Sequence, residues 1–212
     1  MKKTNWILDA ETMINCVVFC VVDYLTDDRH HFVFWKNRCD TEKLFDFFHR
    51  NIELEERHIT FNGLAFDSQI IQWLLEWENH FVGRDATEVC NAIYKYAQDC
   101  IQRSNTRQWP EFAPWKLQIP QLDLYKMGHW DSDAKRASLK WLQCSIDWPN
   151  LEDMPYDHTH YVENEQELNE IISYCYNDCF ATKKVLHICK EAVDLRRDLT
   201  KEYNIDLYSA SE

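Results

Sequence analysis

Glycine is scarce in this chain, three residues in 212, so a glycine marks a place where the backbone asks for something unusual. One of the three falls in "HITFNGLAFDSQIIQWL", His58 to Leu74, where a short apolar run stops and an amphipathic segment begins. Long apolar runs are also missing. No stretch approaches the roughly 18 consecutive apolar residues that cross a bilayer, so nothing marks a transmembrane helix. The basic start "MKKTNWILDAET" meets its first acid at Asp9, and no small-residue cleavage site follows an adequate apolar region; a secretory signal is not expected. The nine cysteines contain no CxxC pair, which removes support for a zinc knuckle or a thioredoxin-like site. Odd in number and mostly flanked by apolar residues, they read as reduced, partly buried thiols of a cytoplasmic protein. Repeats and low-complexity linkers are lacking. Positive charge is short too: 23 Lys and Arg stand against 36 Asp and Glu, a net charge of −13. That balance argues against a broad phosphate-binding surface. It leaves room for a nucleic-acid enzyme, because a cation site built from carboxylates is itself acidic and a local basic strip can still guide a substrate.

What is present is the material of a packed globular protein: 45% hydrophobic and 14% aromatic residues, with nine Trp. The length fits one domain spanning 1–212. "NWILDA", "NCVVFCVVDY" and "HFVFW" read as three strands joined by short turns, an antiparallel meander. "TEKLFDFFHR" (Thr41 to Arg50) reads as a helix with Thr41 as N-cap. Ile59 to Asn62 is a fourth strand candidate, and Phe66 to Asn79 a helix with apolar residues at 66, 70, 71, 74 and 75. Asp85 to Arg103 has helical periodicity, and "SNTRQWPEFAPWKLQIP", with three of the five prolines, reads as loop. "QLDLYK" is a short strand candidate and "KRASLKWLQCS" a helix. "WPNLEDMPYDHTHYVEN" reads as a long irregular connection. Glu165 to Tyr203 is helical in two pieces expected to meet near Asp178. Strands first, then strands alternating with helices, predict an α/β domain with a mixed central sheet.

Three groups of acids stand out. Asp9 and Glu11 are two apart on a strand and so project from the same face. Like charges side by side are unfavourable unless something neutralises them, and a divalent cation does so. The spacing is cheap, since Asp40 and Glu42 share it at a helix start. Asp67 follows the strand and turn that carry Asn62 and Gly63, and stands near the first turn of a helix, where a capping role is the plain alternative. Gly63 would let the backbone turn sharply or approach a ligand closely, and Asn62 can bond its local backbone or face the site. Tyr174 and Asp178 are four apart and share a helical face. Spacing of that kind recurs by chance, as Tyr24 and Asp28 show; the apolar helical surroundings distinguish the later pair.

In order, "LDAET", "FNGLAFD" and "YCYND" resemble the three motifs of the DEDD superfamily of 3′→5′ exonucleases, the DnaQ-like branch of the ribonuclease H fold. The form of the second motif most resembles the proofreading domain of family B DNA polymerases and its free-standing phage and bacterial relatives. The resemblance runs from about Ile7 to Val193. The family's His variant carries His five residues before the last Asp; Ser173 stands there, while Tyr174 fits the Tyr variant. His158 and His160 lie too far upstream to substitute and read as loop residues. "QLDLYK" resembles a family strand bearing an Asp, which makes Asp123 a supporting residue rather than a ligand.

The resemblance implies a ribonuclease H-like fold and phosphodiester hydrolysis with two divalent cations, Mg²⁺ or Mn²⁺, roughly 3.5–4 Å apart. Asp9 would bridge both, Glu11 and Asp178 would complete one site, and Asp67 would support the other. Tyr174 would orient the attacking water, a phenol with pKa near 10 being a better positioner than base. An all-carboxylate ligand set fits Mg²⁺ or Mn²⁺ rather than zinc. Thr12, Asn62, Phe66 and Lys183 are the residues expected to touch the strand. Trp109 and Trp115 in the proline-rich loop are stacking candidates, and Lys184 and the small cluster Lys135, Arg136 and Lys140 are further candidates for meeting phosphates. Single-stranded DNA is the expected substrate, degraded to nucleoside 5′-monophosphates, and any polymerase it serves would be a separate protein. The alternatives are an exoribonuclease on short RNA, which would need a pocket for the 2′-OH, and a ribonuclease H-fold interaction module without activity.

Overall fold

The structure is a computed structural model that describes residues 4–130, 132 and 136–209. Lys135 lies outside the described residues. The sheet has six strands: β1 (Asn5–Met13), β2 (Cys16–Asp23), β3 (Arg29–Trp35), β4 (Arg38–Cys39), β5 (Arg57–Thr60) and β6 (Gln121–Asp123). Their spatial order is β4-β3-β2-β1-β5-β6. The β1–β2, β2–β3 and β3–β4 pairs are antiparallel, and β5 and β6 add in parallel to β1. The expected meander and mixed sheet are therefore present, with β4 as a short addition that the sequence did not announce.

Helices cover both faces. On one side lie α1 (Thr41–Glu53), α2 (Asp67–Glu76) and α4 (Ala86–Asn105), packing Leu44, Phe48, Ile70, Leu74 and Ile93 against Leu8, Val17 and Phe19. The short α3 (Glu78–Phe81) finishes the segment expected to be one helix from Phe66 to Asn79. On the other side are α5 (Leu124–Met127), α6 (Leu139–Ser145) and the long α7 (Glu165–Ile188), which packs Ile171, Cys175 and Cys179 against Ile7, Val18 and Cys20. The last helix, α8 (Lys190–Tyr203), follows α7. All eight residues of β2 are buried, which is why "CVVFCVVD" is apolar on both faces instead of alternating.

Two boundaries differ from expectation for local reasons. Thr41 is not the cap of α1 but its first residue: Asp40 precedes the helix, and its carboxylate takes the Val33 N–H at 3.0 Å and Lys43 at 2.7 Å. The break between the last two helices falls at Cys189, not near Asp178, so Asp178 stands mid-helix in α7.

The register between β1 and β5 positions the acids of β1. β5 pairs with β1 only over Asn5–Ile7, while β1 continues to Met13. Asp9 and Glu11 therefore extend past the end of β5, into the crevice at the carboxyl ends of parallel strands where open α/β sheets bind ligands.

Candidate metal centre

The crevice is built by three elements. Strand β1 contributes Asp9 and Glu11, two positions apart and on the face covered by α7, the face that also holds Ile7 and Met13. Helix α7 contributes Asp178. One carboxylate oxygen from each of Asp9, Glu11 and Asp178 can be chosen so that all three lie within 4.8 Å of one another, close enough for one metal ion to bind them. Tyr174, one turn earlier on α7, donates its hydroxyl to Asp178.

Asp67 enters from the β5–α2 turn as the first residue of α2 and is buried. Its carboxylate accepts from the Ala10 N–H, a donor exposed on β1 because β5 has already ended. It is not the helix cap: Phe66 holds that place, without a side-chain hydrogen bond. The turn before it depends on two unlike residues. Asn62 has a left-handed backbone, φ 66°, which Asn tolerates better than most residues. Gly63 is needed for space, because a Cβ there would lie 2.5 Å from the Thr60 Cβ. Asp123, fully buried on β6, locks the turn by accepting from the N–H groups of Asn62 (2.8 Å), Leu64 (3.1 Å) and Tyr125 (2.9 Å).

The electrostatics follow from this crowding. Burial first, and then neighbouring charges that include Glu11, Asp67 and Asp178, raise Asp9 well above the usual carboxylate range. Glu11 is raised for the same reasons. Burial pushes Asp67 up to about 8 against hydrogen bonds from its own N–H and that of Ala10, and Asp178 up to about 6 against hydrogen bonds from Gln143 and Tyr174. Burial also lifts the Tyr174 phenol well above its ordinary value, with Asp178 adding to it. Groups that resist ionisation because they repel one another gain most from a cation. The donor set is oxygen alone in the three-residue group, which fits hard divalent ions such as Mg²⁺ or Mn²⁺.

Two further side chains touch the acids without being marked by motif spacing. Gln143 on α6 donates Nε2 to Asp178 Oδ1 at 2.7 Å, and its own amide oxygen is buried without a protein partner. Cys175 places Sγ 3.4 Å from both the carbonyl oxygen and Oδ2 of Asp9. Its place beside Tyr174 was visible in "YCYND"; nothing local marks Gln143, which is 35 residues from its partner.

Of the other residues expected to touch the strand, Thr12 and Lys183 lie on faces other than that of the acids. Thr12 is buried and, by strand alternation, shares the face of Leu8 and Ala10, opposite the acids. Phe66 packs half-buried against the core of that same side, and the Asn62 N–H is taken up by Asp123. Lys183 does not reach the acids at all: it pairs with Asp27 at 2.5 Å, over the Tyr24 ring. The reason is helical geometry, since five residues after Asp178 is more than one full turn and lands on another face. Lys140 lies near enough to Asp178 to favour its charged form and pairs with Asp153 at 2.8 Å, while Arg136 is exposed. Trp109 and Trp115 are 88% and 84% exposed, on a loop whose Phe112 is tied through both backbone groups to Gln69 of α2. His160 bonds to Glu167 at 3.0 Å and stacks on Tyr156, well away from the acids in role. All nine cysteines are free thiols, and no helix among the described residues is long and apolar enough to cross a membrane. No protein-family model matches the chain, and no curated protein matches it.

Proposed function

We propose that this chain is a metal-dependent 3′→5′ exonuclease of the DnaQ-like, ribonuclease H-fold kind, hydrolysing single-stranded DNA from its 3′ end to nucleoside 5′-monophosphates. The observation that carries the reading is the convergence of Asp9 and Glu11 from a strand with Asp178 from a helix, their oxygens within 4.8 Å of one another. A capping or surface role accounts for none of the three. The six-stranded mixed sheet with helices on both faces is compatible with the proposed fold.

In this reading Asp9, Glu11 and Asp178 hold the divalent cation, and Asp67, buried beside them, supports a second. When bound, such ions supply positive charge that lowers the pKa of an attacking water and offsets the charge gathering on the departing 3′ oxygen. The chain's own residues do the rest. Gln143 and Tyr174 fix the Asp178 carboxylate from two sides. Tyr174, its phenol held protonated by burial and by Asp178, can donate and orient but not act as a base near neutral pH. Asp67 holds the end of β1 through Ala10 and so keeps Asp9 and Glu11 at the crevice mouth.

The test is digestion of matched 5′-labelled single-stranded DNA and RNA oligonucleotides in Mg²⁺ and in Mn²⁺, beside an EDTA control and an Asp178→Ala variant. A ladder shortening from the 3′ end, absent in both controls, is expected, with DNA cut faster than RNA. Faster RNA cleavage would move the substrate to RNA. No cleavage by a folded protein that binds Mn²⁺ would overturn the enzyme.

A further inference from the structure

Lys183 and Lys184 face away from the acids, and they face something. A groove of about 510 Å³ lies along the outer side of α7, walled by that helix, by the β2–β3 turn and by the segment around Trp148. Ser173, Asn177, Phe180 and Lys184 run along its floor at three- and four-residue spacing. That row lies about a third of a turn round the helix from the row of Tyr174 and Asp178. The groove is thus a separate surface.

Its chemistry differs from the rest of the molecule. Phe180, Tyr176 and Trp148 supply apolar rings. Arg29 lies over two of them, its guanidinium 4.5 Å from the Phe180 centroid and 5.7 Å from that of Tyr176. No carboxylate among the described residues pairs with Arg29 or with Lys184, so their N–H donors are available. Of the two acids in the lining, Asp27 is already engaged by Lys183 and only Glu152 stands against the remaining cations. In a chain of net charge −13 this is a local excess of positive charge. The wall is also fixed in advance: Trp148 Nε1 donates to Asn177 Oδ1 at 2.9 Å, and Asn177 Nδ2 to the Asn150 carbonyl at 2.8 Å. A planar ring wall, a planar guanidinium held by π contact and a free lysine match one kind of ligand: an aromatic base carrying a phosphate.

We propose that this groove is a second nucleotide-binding site, taking the base against Trp148 and the phosphate at Arg29, seated over Phe180, and at Lys184. The ligand is a nucleotide unit, either free or within a single strand. It lies outside the acidic crevice and binds without metal.

The experiment is fluorescence anisotropy of a labelled oligothymidylate in EDTA, with thymidine 5′-monophosphate as competitor. Wild type and Asp178→Ala are expected to bind alike, since the acids play no part. Arg29→Glu with Lys184→Glu is expected to weaken binding at least tenfold and to flatten the salt dependence, each lost contact to a single strand lowering the log–log slope by about 0.7. Both residues are exposed, so the variant should keep its fold, checked by circular dichroism. A Lys184→Glu single variant should fall between. Competition by the monophosphate would assign the site to free nucleotides, and its failure to a strand. No binding of either probe by wild type, or equal binding by the doubly reversed variant, would overturn the proposal. Because the readout is binding in EDTA, it stands or falls separately from hydrolysis.

Discussion

At the scale of single residues, the buried acids divide by what they are bonded to. Asp123 accepts three backbone N–H groups, so its removal strands donors in the interior. Asp123→Ala is expected to cost about 2–4 kcal/mol, read from urea unfolding; a loss below half of that would mean the turn has other support. Asp9, Glu11 and Asp178 repel one another, and Asp178 also accepts from Gln143 and Tyr174, so Asp178→Asn, whose amide oxygen can still accept, should leave the metal-free protein about as stable as wild type while removing hydrolysis. Tyr174→Phe keeps the ring and loses only the hydroxyl bonded to Asp178. It should lower kcat about 10²-fold with unchanged Tm, and an unaltered kcat would strip Tyr174 of its positioning role. The carboxyl of Asp67 is pushed from 3.8 to about 8. A group whose folded pKa is raised stabilises fully below its unfolded value, and that contribution is lost as pH rises through the folded value. Metal-free wild type should therefore lose Tm relative to Asp67→Asn between about pH 4 and pH 8. A difference that stays constant across the window would contradict the burial of an ionisable Asp67.

At the scale of elements, the crevice exists because β5 is shorter than β1, and the turn that ends β5 decides where Asp67 stands. Gly63→Ala sets a methyl 2.5 Å from the Thr60 Cβ, a clash with no flexible tip to yield. The expected result is a loss of about 1–3 kcal/mol in thermal or urea unfolding, together with reduced hydrolysis as Asp67 is displaced; a silent substitution would show the turn free to move. Much of this element was legible beforehand: a strand, an Asn-Gly stop, an acid at a helix start. The reason for the glycine was less so. Asn62 carries the positive φ, while Gly63 answers a packing demand from Thr60, which no turn rule contains. Asp9, Glu11, Tyr174 and Asp178 could be paired because strand and helix periods fix which residues share a face. Gln143 could not, because its contact with Asp178 crosses between helices. The same limit applies to Lys183 and Thr12, which stand near an acid in sequence but on another face of their element. The break between the last two helices likewise falls later than the sequence suggests, at Cys189, with Asp178 inside a 24-residue helix.

At the scale of the whole molecule, a six-stranded sheet with helices on both faces gathers raised carboxylates at one edge of the shared β1–β5 end, in a protein already strongly acidic. Cation binding should therefore stabilise the fold as well as the site. Mn²⁺ is expected to raise Tm by several degrees at pH 8 and by much less at pH 5, where protons compete for the same oxygens; an equal rise at both would place the binding elsewhere. The most direct trial of 3′→5′ exonuclease action uses one DNA strand labelled at either end, with the protein and Mn²⁺. The expected result is a 5′-labelled strand that shortens one nucleotide at a time, while the 3′-labelled strand releases its label as a mononucleotide from the start. Internal cuts, release from the 5′ end, or an intact strand beside a Mn²⁺-bound protein would contradict it.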